Sequence, residues 1–448
     1  MSDVASTLST WMPLQRWYAA KGVTPRLRII ATLESREGDS GITTYFVIDE
    51  GPQEPVLYQV PVVAHPSAAP ELAHALIGEV DGEWLYDAPH DPYFATALLR
   101  AIAERAPIIG QGASAQGESL ASPGRVIHAR VLKGEQSNTS IICDVEGAAV
   151  ETVIAKVFRV LHHGENPDVT TQAALTAAGS RRVPASFGAI TATWPDPGRG
   201  DGAATGHLAF VQEFLPGLED AWRVALITAA AGKEFAARAF DLGVATAEVH
   251  ATLATAMPTV EAGELEISDA TASMRARLDL AAEEVPGVGV HSARIHALYD
   301  SIEARHWPVL QRIHGDYHLG QVLDAHDRGW VLLDFEGEPL RPMIERSRAD
   351  VPLRDVAGML RSFDYVNGAL AHGDPPIDAS AWSSTARNAF LDGYISASGV
   401  DLRADRALLD AFEIDKAVYE SVYESRNRPD WLGIPLAAIA RLVERSAR

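Results

Sequence analysis

The fold is decided by Ile313-His314-Gly315-Asp316-Tyr317-His318-Leu319-Gly320-Gln321, followed by Val331-Leu332-Leu333-Asp334-Phe335-Glu336-Gly337-Glu338. This arrangement puts a carboxylate at the tip of a tight loop, an amide shortly after it, and a second carboxylate at the end of the next apolar strand. In phosphoryl transfer a protein mainly positions groups and neutralises charge, and these residue types in this order suit that task. Asp316 is expected to accept the proton of an attacking hydroxyl. Gln321 and Asp334 are expected to supply oxygen ligands to Mg²⁺ bridging nucleotide phosphates. Gly315 permits the turn, and His314 is expected to hold the loop by bonding to backbone.

Upstream, Val153-Ile154-Ala155-Lys156 has the pattern of a buried strand ending in a lysine. It follows Gly134-Glu135-Gln136-Ser137-Asn138-Thr139-Ser140 in the order of a kinase phosphate loop and its lysine. Small polar residues turning between two strands offer backbone N–H groups to phosphate, so Ser137, Asn138 and Thr139 are candidates for the nucleotide together with Lys156.

Alternation in Leu27 to Leu33, Thr44 to Ile48 and Val56 to Val62 predicts a small antiparallel sheet near the N-terminus. A helix is expected at 91–105 with Phe94, Leu98 and Ile102 on one face. The Gly/Ser/Ala/Gln run Gly110 to Gly117 is expected to be a linker; a dinucleotide glycine pattern is declined there because no strand leads into it. Strands follow at Val126 to Leu132, Ser140 to Val145, Val150 to Val160, Ser186 to Ile190 and His207 to Phe214, with a helix from Asp168 to Ala178. The second half of Thr193 to Gly206 is expected to be a mobile loop. After Pro216 the period changes to about 3.6 and the chain turns helical, except for the β-rich island between Ile313 and Glu336.

The 448 residues carry 60 acidic and 38 basic side chains, a net charge of −22. Non-specific attraction to nucleic acid or anionic lipid is therefore excluded as the way this molecule finds partners, and an anionic substrate must meet a locally positive site or a metal. The single cysteine, Cys143, rules out an internal disulfide and a Cys-based zinc cluster. No signal-peptide layout and no membrane-length apolar run are present, so a soluble, cytoplasmic protein is expected.

Lys156, the His314-to-Gln321 loop and Asp334 resemble the aminoglycoside phosphotransferase-like, eukaryotic-type kinase superfamily. Three stretches are similar to the maltokinases of actinobacteria: Trp11-Met12-Pro13-Leu14-Gln15-Arg16-Trp17-Tyr18; Asp334 to Pro339 with Pro352-Leu353-Arg354-Asp355 through Tyr365; and Lys416 to Glu420 through Trp431. The resemblance implies an α+β, bilobal protein-kinase-like fold. It divides into an N-terminal cap (1–90), a β-rich nucleotide-binding N-lobe (91–212) and a mostly α-helical C-lobe with the catalytic loop and sugar site (213–448). It further implies ATP and Mg²⁺ as cofactors, phosphorylation of the anomeric hydroxyl of maltose for α-glucan synthesis, and an association with trehalose synthase. Gln212-Glu213-Phe214 would be the hinge whose backbone reads adenine. The family's strand lysine pairs with a helix glutamate, but threonines occupy that place here, leaving Asp168 or Glu165 as substitutes.

A sugar cleft needs carboxylates and amides for hydroxyls, and aromatic faces for the apolar side of the ring. On the last long helix Lys416, Tyr419, Glu420, Tyr423, Glu424 and Asn427 fall at three- and four-residue spacing, and Trp431 follows. His318, Glu336, Lys416, Tyr419, Glu420, Tyr423 and Trp431 are the candidates for the acceptor. His162-His163 is taken as a surface turn. Of Arg341, Arg346, Arg348, Arg354 and Arg361, some are expected to pair with Glu336, Glu338, Glu345 and Asp355, leaving the rest for an anionic ligand. Rival expectations are an amino-sugar or aminoglycoside kinase, for which Glu219, Asp220, Glu420 and Glu424 could serve a cationic acceptor, and a non-catalytic pseudokinase.

Overall fold

The computed structural model describes residues 2–37, 40–133, 137–339 and 341–446. The chain forms two compact units, Met1–Ala177 with Pro184–Pro216, and Ala178–Val183 with Gly217–Arg448.

The first unit is built on twelve strands: β1 (Leu27–Glu37), β2 (Ser40–Asp49), β3 (Val56–His65), β4 (Leu76–Val80), β5 (Glu83–Asp87), β6 (Pro107–Ile109), β7 (Ser114–Ser119), β8 (Arg125–Val131), β9 (Asn138–Glu146), β10 (Thr152–Phe158), β11 (Ser186–Pro195) and β12 (Ala203–Glu213). They join in one sheet in the order β4-β5-β3-β2-β1-β6-β7-β11-β12-β10-β9-β8. The helices are α1 (Ser2–Trp11), α2 (Pro92–Ala103) and α3 (Pro167–Ala177). Helix α2 starts where Asp91 accepts a hydrogen bond from the Tyr93 amide at 2.9 Å, with Pro92 at its first position. Its Phe94, Leu98 and Ile102 are buried against the sheet. Each such side chain contributes roughly 1.5–3 kcal/mol of transfer free energy.

Two sequence expectations are corrected here. The run Gly110 to Gly117 is no linker: β6 and β7 bridge β1 to β11 in the middle of the sheet. Its small residues reflect close approach, since a Cβ on Gly110 would lie 1.9 Å from the Thr32 carbonyl oxygen and one on Gly117 2.0 Å from that of Ala101. The Thr193-to-Gly206 stretch is mostly a paired hairpin, with Thr193 opposite Thr205 and Trp194 opposite Ala204. Trp194 is buried with its ring 5.7 Å from that of Phe46, which anchors the hairpin to the core.

The second unit holds α4 (Ala221–Ala230), α5 (Ala236–Ala256), α6 (Glu264–Glu284), α7 (Pro286–Gly289), α8 (Ser292–Glu303), α9 (Met343–Arg346), α10 (Leu353–Ala371), α11 (Ser380–Ser398), α12 (Arg406–Asn427) and α13 (Gly433–Ser446). Between α8 and α9 a two-stranded hairpin, β13 (Val322–Asp324) and β14 (Trp330–Leu332), pairs antiparallel. Helix α10 is buried on nearly every side, with Val356, Leu360 and Phe363 fully enclosed. It forms the floor on which the 313–321 loop rests. No helix among the described residues is long and apolar enough to cross a membrane.

Candidate active site

In the second unit the 313–321 loop is fastened from below by Asp355, in the first turn of α10. The Asp355 carboxylate accepts from the backbone amides of His314 (2.8 Å) and Gly315 (2.9 Å), and its Oδ2 lies 2.9 Å from His250 Nε2. Burial pushes this carboxyl up, but the His250 hydrogen bond, the charges of His250 and His314, and the Gly315 amide outweigh it and hold it below the usual carboxylate range. Asp355 had been expected to meet an arginine. It serves the loop instead, because two consecutive amides and a histidine converge on it.

The loop's conformation depends on glycine. Gly315 has φ 85°, and a Cβ there would meet Gly337 Cα at 3.0 Å. On the helix side, a Cβ on Gly358 would approach the Tyr317 carbonyl oxygen to 2.6 Å. Ser362 Oγ accepts from the Leu319 amide at 3.0 Å. His314 Nε2 sits 2.7 Å from the Leu333 carbonyl oxygen, so the loop is tied to the segment that carries Asp334.

Asp316 is half-buried, and its Oδ1 accepts from Lys416 Nζ at 3.0 Å. Among the described residues its Oδ2 makes no hydrogen bond. Lys416, on α12, also donates to Glu338 Oε1 at 2.7 Å. Burial alone would lower the Lys416 ammonium, but Glu338, Asp316 and Glu420 raise it, so it stays charged. Burial would likewise raise Glu338, yet Lys416, Arg341 and Arg354 hold it far below the ordinary carboxylate range.

Gln321 ends a short 3₁₀ turn, Leu319–Gln321, and its Nε2 donates to Asp334 Oδ2 at 3.2 Å. Asp334 has φ 62°, an uncommon conformation for a non-glycine residue that turns the chain sharply after β14. The amide oxygen of Gln321 with the carboxylate of Asp334 makes a hard-oxygen donor set, the kind that suits Mg²⁺. Asp334 and Glu336 each offer a carboxylate oxygen within 4.8 Å of the other's.

A cleft of about 370 Å³ opens beside Asp316. Of the acceptor candidates, His318, Lys416, Tyr419, Glu420, Tyr423 and Trp431 line it. Glu336 does not, and lies beside Asp334 instead. Asn427 also stays out, its side-chain amide donating to the Tyr423 carbonyl. The cleft has further walls that the sequence reading did not assign to it: Trp222 from α4, and Ser362 and Tyr365 from α10. For Ser362 and Tyr365 the signal was the three- and four-residue spacing of Gly358, Ser362 and Tyr365 along α10. Trp431 stacks on Tyr365, centroids 6.3 Å apart and planes 25° apart, and on His372 at 6.2 Å and 11°.

Charge on this cleft is balanced locally. The buried Arg361 donates to Glu420 Oε2 from Nε and Nη2 at 2.9 and 2.8 Å, and to Asp364 at 2.7 Å. Arg428 grips Glu424 at 2.9 and 2.6 Å, and Tyr365 Oη donates to the same carboxylate at 3.1 Å. Burial, the largest influence, lowers His318, whose Nδ1 accepts from the Gly320 amide at 3.0 Å. Of the arginine run, Arg341 pairs with Glu338, and Arg354 pairs with Asp350 and Asp415.

In the first unit Lys156 stands on β10, and its Nζ lies 2.9 Å from Asp168 Oδ2. The acidic partner left open between Asp168 and Glu165 is thus Asp168, at the start of α3, where Asn166 Oδ1 accepts from its amide at 2.9 Å. Gly134, Glu135 and Gln136 lie outside the described residues. Ser137 is exposed and Asn138 opens β9. Thr139 is buried, and its side-chain Oγ1 accepts from Arg159 Nε at 2.8 Å, so the hydroxyl serves the core. Gln212 and Glu213 end β12, and Glu213 exchanges bonds with Ala185. The Phe214 amide donates to the Thr152 carbonyl at 3.0 Å, which takes that amide out of the expected adenine contacts.

Residues 133–409 match the model of the phosphotransferase enzyme family. The chain belongs to that family. Residues 11–91 match a second model, the maltokinase N-terminal cap domain. Among curated proteins, a glucosamine kinase of Streptacidiphilus jiangxiensis is 29% identical over 73% of this chain and 76% of its own length. One of Mycolicibacterium smegmatis is 27% identical over 84% and 94% respectively. Among solved structures, a glucosamine kinase in complex with glucosamine, ADP and inorganic phosphate shares the fold, with TM-score 0.72, 24% identity and 98% of each chain covered. The chain is a phosphotransferase with the α+β kinase-like fold expected from its sequence, transferring a phosphoryl group to a hydroxyl acceptor.

Proposed function

We propose that this phosphotransferase acts on an uncharged sugar, and that the sugar is maltose, phosphorylated at its anomeric hydroxyl. The observation that carries the reading is the pairing of the cleft carboxylates. Asp316 is met by Lys416, Glu420 by Arg361, and Glu424 by Arg428. An ammonium group on the acceptor would have to compete with a resident cation at each of them, whereas hydroxyl groups can share these oxygens as donors without displacing anything. The aromatic wall of Trp431, Tyr365 and Tyr423 suits the apolar faces of pyranose rings. The match of residues 11–91 to the maltokinase cap supports maltose among neutral sugars.

In this reading the unbonded Oδ2 of Asp316 orients the acceptor hydroxyl and takes its proton as the oxygen attacks phosphorus. Lys416, 3.0 Å from its Oδ1, fixes the orientation of Asp316. Gln321 and Asp334 would hold Mg²⁺, which supplies charge neutralisation on the nucleotide phosphates. Lys156, steadied by Asp168, is assigned to the phosphates of ATP.

The curated relatives are named glucosamine kinases, which favours a second reading in which the acceptor is an amino sugar. ADP release measured in parallel with maltose, glucosamine and kanamycin separates the two. Turnover with maltose and little with either amine is the expected result. A clear preference for glucosamine overturns the neutral-sugar reading, and no release with any acceptor overturns both.

A further inference from the structure

Behind Lys416 lies a group that takes no part in the chemistry assigned above. Glu338 is 2% exposed, and both of its oxygens are used: Oε1 accepts from Lys416 Nζ at 2.7 Å and Oε2 from Arg341 Nε at 2.6 Å. Lys416 is therefore suspended between two carboxylates, and its contact with Glu338 is shorter than its 3.0 Å contact with Asp316. Its ammonium also lies 4.9 Å from the Tyr419 ring centroid.

Glu338 is itself anchored by a chain of ion pairs. Arg341 reaches Asp350 at 3.6 Å, Arg354 joins Asp350 (2.6 Å) to Asp415 (2.8 Å), and Arg277 of α6 closes on Asp415 at 2.7 Å. Asp415 directly precedes Lys416 on α12, so the same helical turn is gripped at two adjacent positions. Counting Asp316 and Lys416, four carboxylates face four cations. The lattice is neutral as it stands, and removal of one member leaves a buried charge unmatched.

We propose that Glu338 is a positioning residue: it holds the Lys416 ammonium back from Asp316, so that Lys416 fixes one oxygen of that carboxylate and leaves the other to the acceptor hydroxyl. A lysine has three donors on a flexible stem. Without a second anion behind it, the ammonium closes onto Asp316, its nearest remaining anion, covers the oxygen that must receive the hydroxyl, and weakens it as a proton acceptor. A rigid counter-anion prevents this, and the ion-pair chain supplies the rigidity. The inference rests on the reading of Asp316 as the residue that receives the hydroxyl.

The test is steady-state kinetics of Glu338→Gln beside Asp316→Asn. Glu338→Gln is expected to lower kcat by at least about tenfold, the scale seen for side chains that orient a reacting group. KM for ATP should stay within about twofold, because only the acceptor side is disturbed. In a Lys416→Met background the same Glu338→Gln change should cost less than about twofold more, since Glu338 acts through Lys416. A general loss of structure would not obey that dependence. Should Glu338→Gln fail to fold, Glu338→Asp retains the charge and withdraws the carboxylate by one methylene, and the same fall in kcat with unchanged KM for ATP is expected. An unchanged kcat, or an equal loss with and without Lys416, overturns the proposal while an inactive Asp316→Asn leaves the functional reading intact. Parent-like activity in Asp316→Asn overturns that reading instead.

Discussion

His314 Nε2 lies 2.7 Å from the carbonyl oxygen of Leu333, the residue before Asp334. One side chain thus links the loop bearing Asp316 to the turn bearing Asp334, and a second link runs from Gln321 Nε2 to Asp334 Oδ2. The two aspartates are held by short bonds between their own segments, in addition to the packing of distant helices.

His314→Ala removes the first link. The expected result is a kcat reduced roughly 10- to 100-fold, the range for side chains that orient a reacting or metal-binding group. Near-ultraviolet circular dichroism should remain native, and a kcat within error of the parent would show that the link is dispensable.

Asp168→Asn removes the carboxylate that Lys156 contacts at 2.9 Å at the start of α3. KM for ATP should rise about tenfold, the scale of one hydrogen bond to a charged group. KM for the sugar should not move. A rise in the sugar KM alone would mean that Lys156 serves another ligand.

Asp355 gives a pH signature. Its carboxyl is held below its ordinary value, with burial opposing and His250, His314 and the Gly315 amide prevailing. A depressed folded value stabilises the fold above the unfolded value, and that contribution is lost as pH falls through the folded value. The Tm difference between the parent and Asp355→Asn is therefore expected to be widest near neutrality and to close below about pH 4. A constant difference across that range would contradict the assignment.

Arg361→Met strands Glu420 in a buried site and removes one of the cations on Asp364. A loss of about 3–5 kcal/mol in chemical denaturation is expected, the cost of breaking a buried pair from one side. The double variant Arg361→Met with Glu420→Leu should recover part of it, because no carboxylate is then left unmatched at that position. No recovery would place the cost in packing.

The shape of the 313–321 loop was legible in the sequence because neighbouring residues state it by type: Gly315 for the turn and His314 for the tie to backbone, with Gln321 and Asp334 brought side by side. Helix α12 was legible for the same reason, since three- and four-residue spacing places Lys416, Tyr419, Glu420 and Tyr423 together on the cleft wall. What escaped depends on pairing across long separations. Nothing local says that Lys416 meets Glu338, that Arg361 reaches Glu420, or that Thr139 is spent on Arg159. The Gly110-to-Gly117 run misled for a different reason. Glycine marks both loose chain and strands under close approach, and composition does not distinguish them.

In the function proposed, Asp316 receives the proton of a neutral sugar hydroxyl. Single-turnover ADP formation by Asp316→Asn with saturating maltose tests it most directly. The expected rate is lowered about 10²- to 10⁴-fold, the usual contribution of a positioned acid–base group, with ADP affinity unchanged. A rate equal to that of the parent would contradict it.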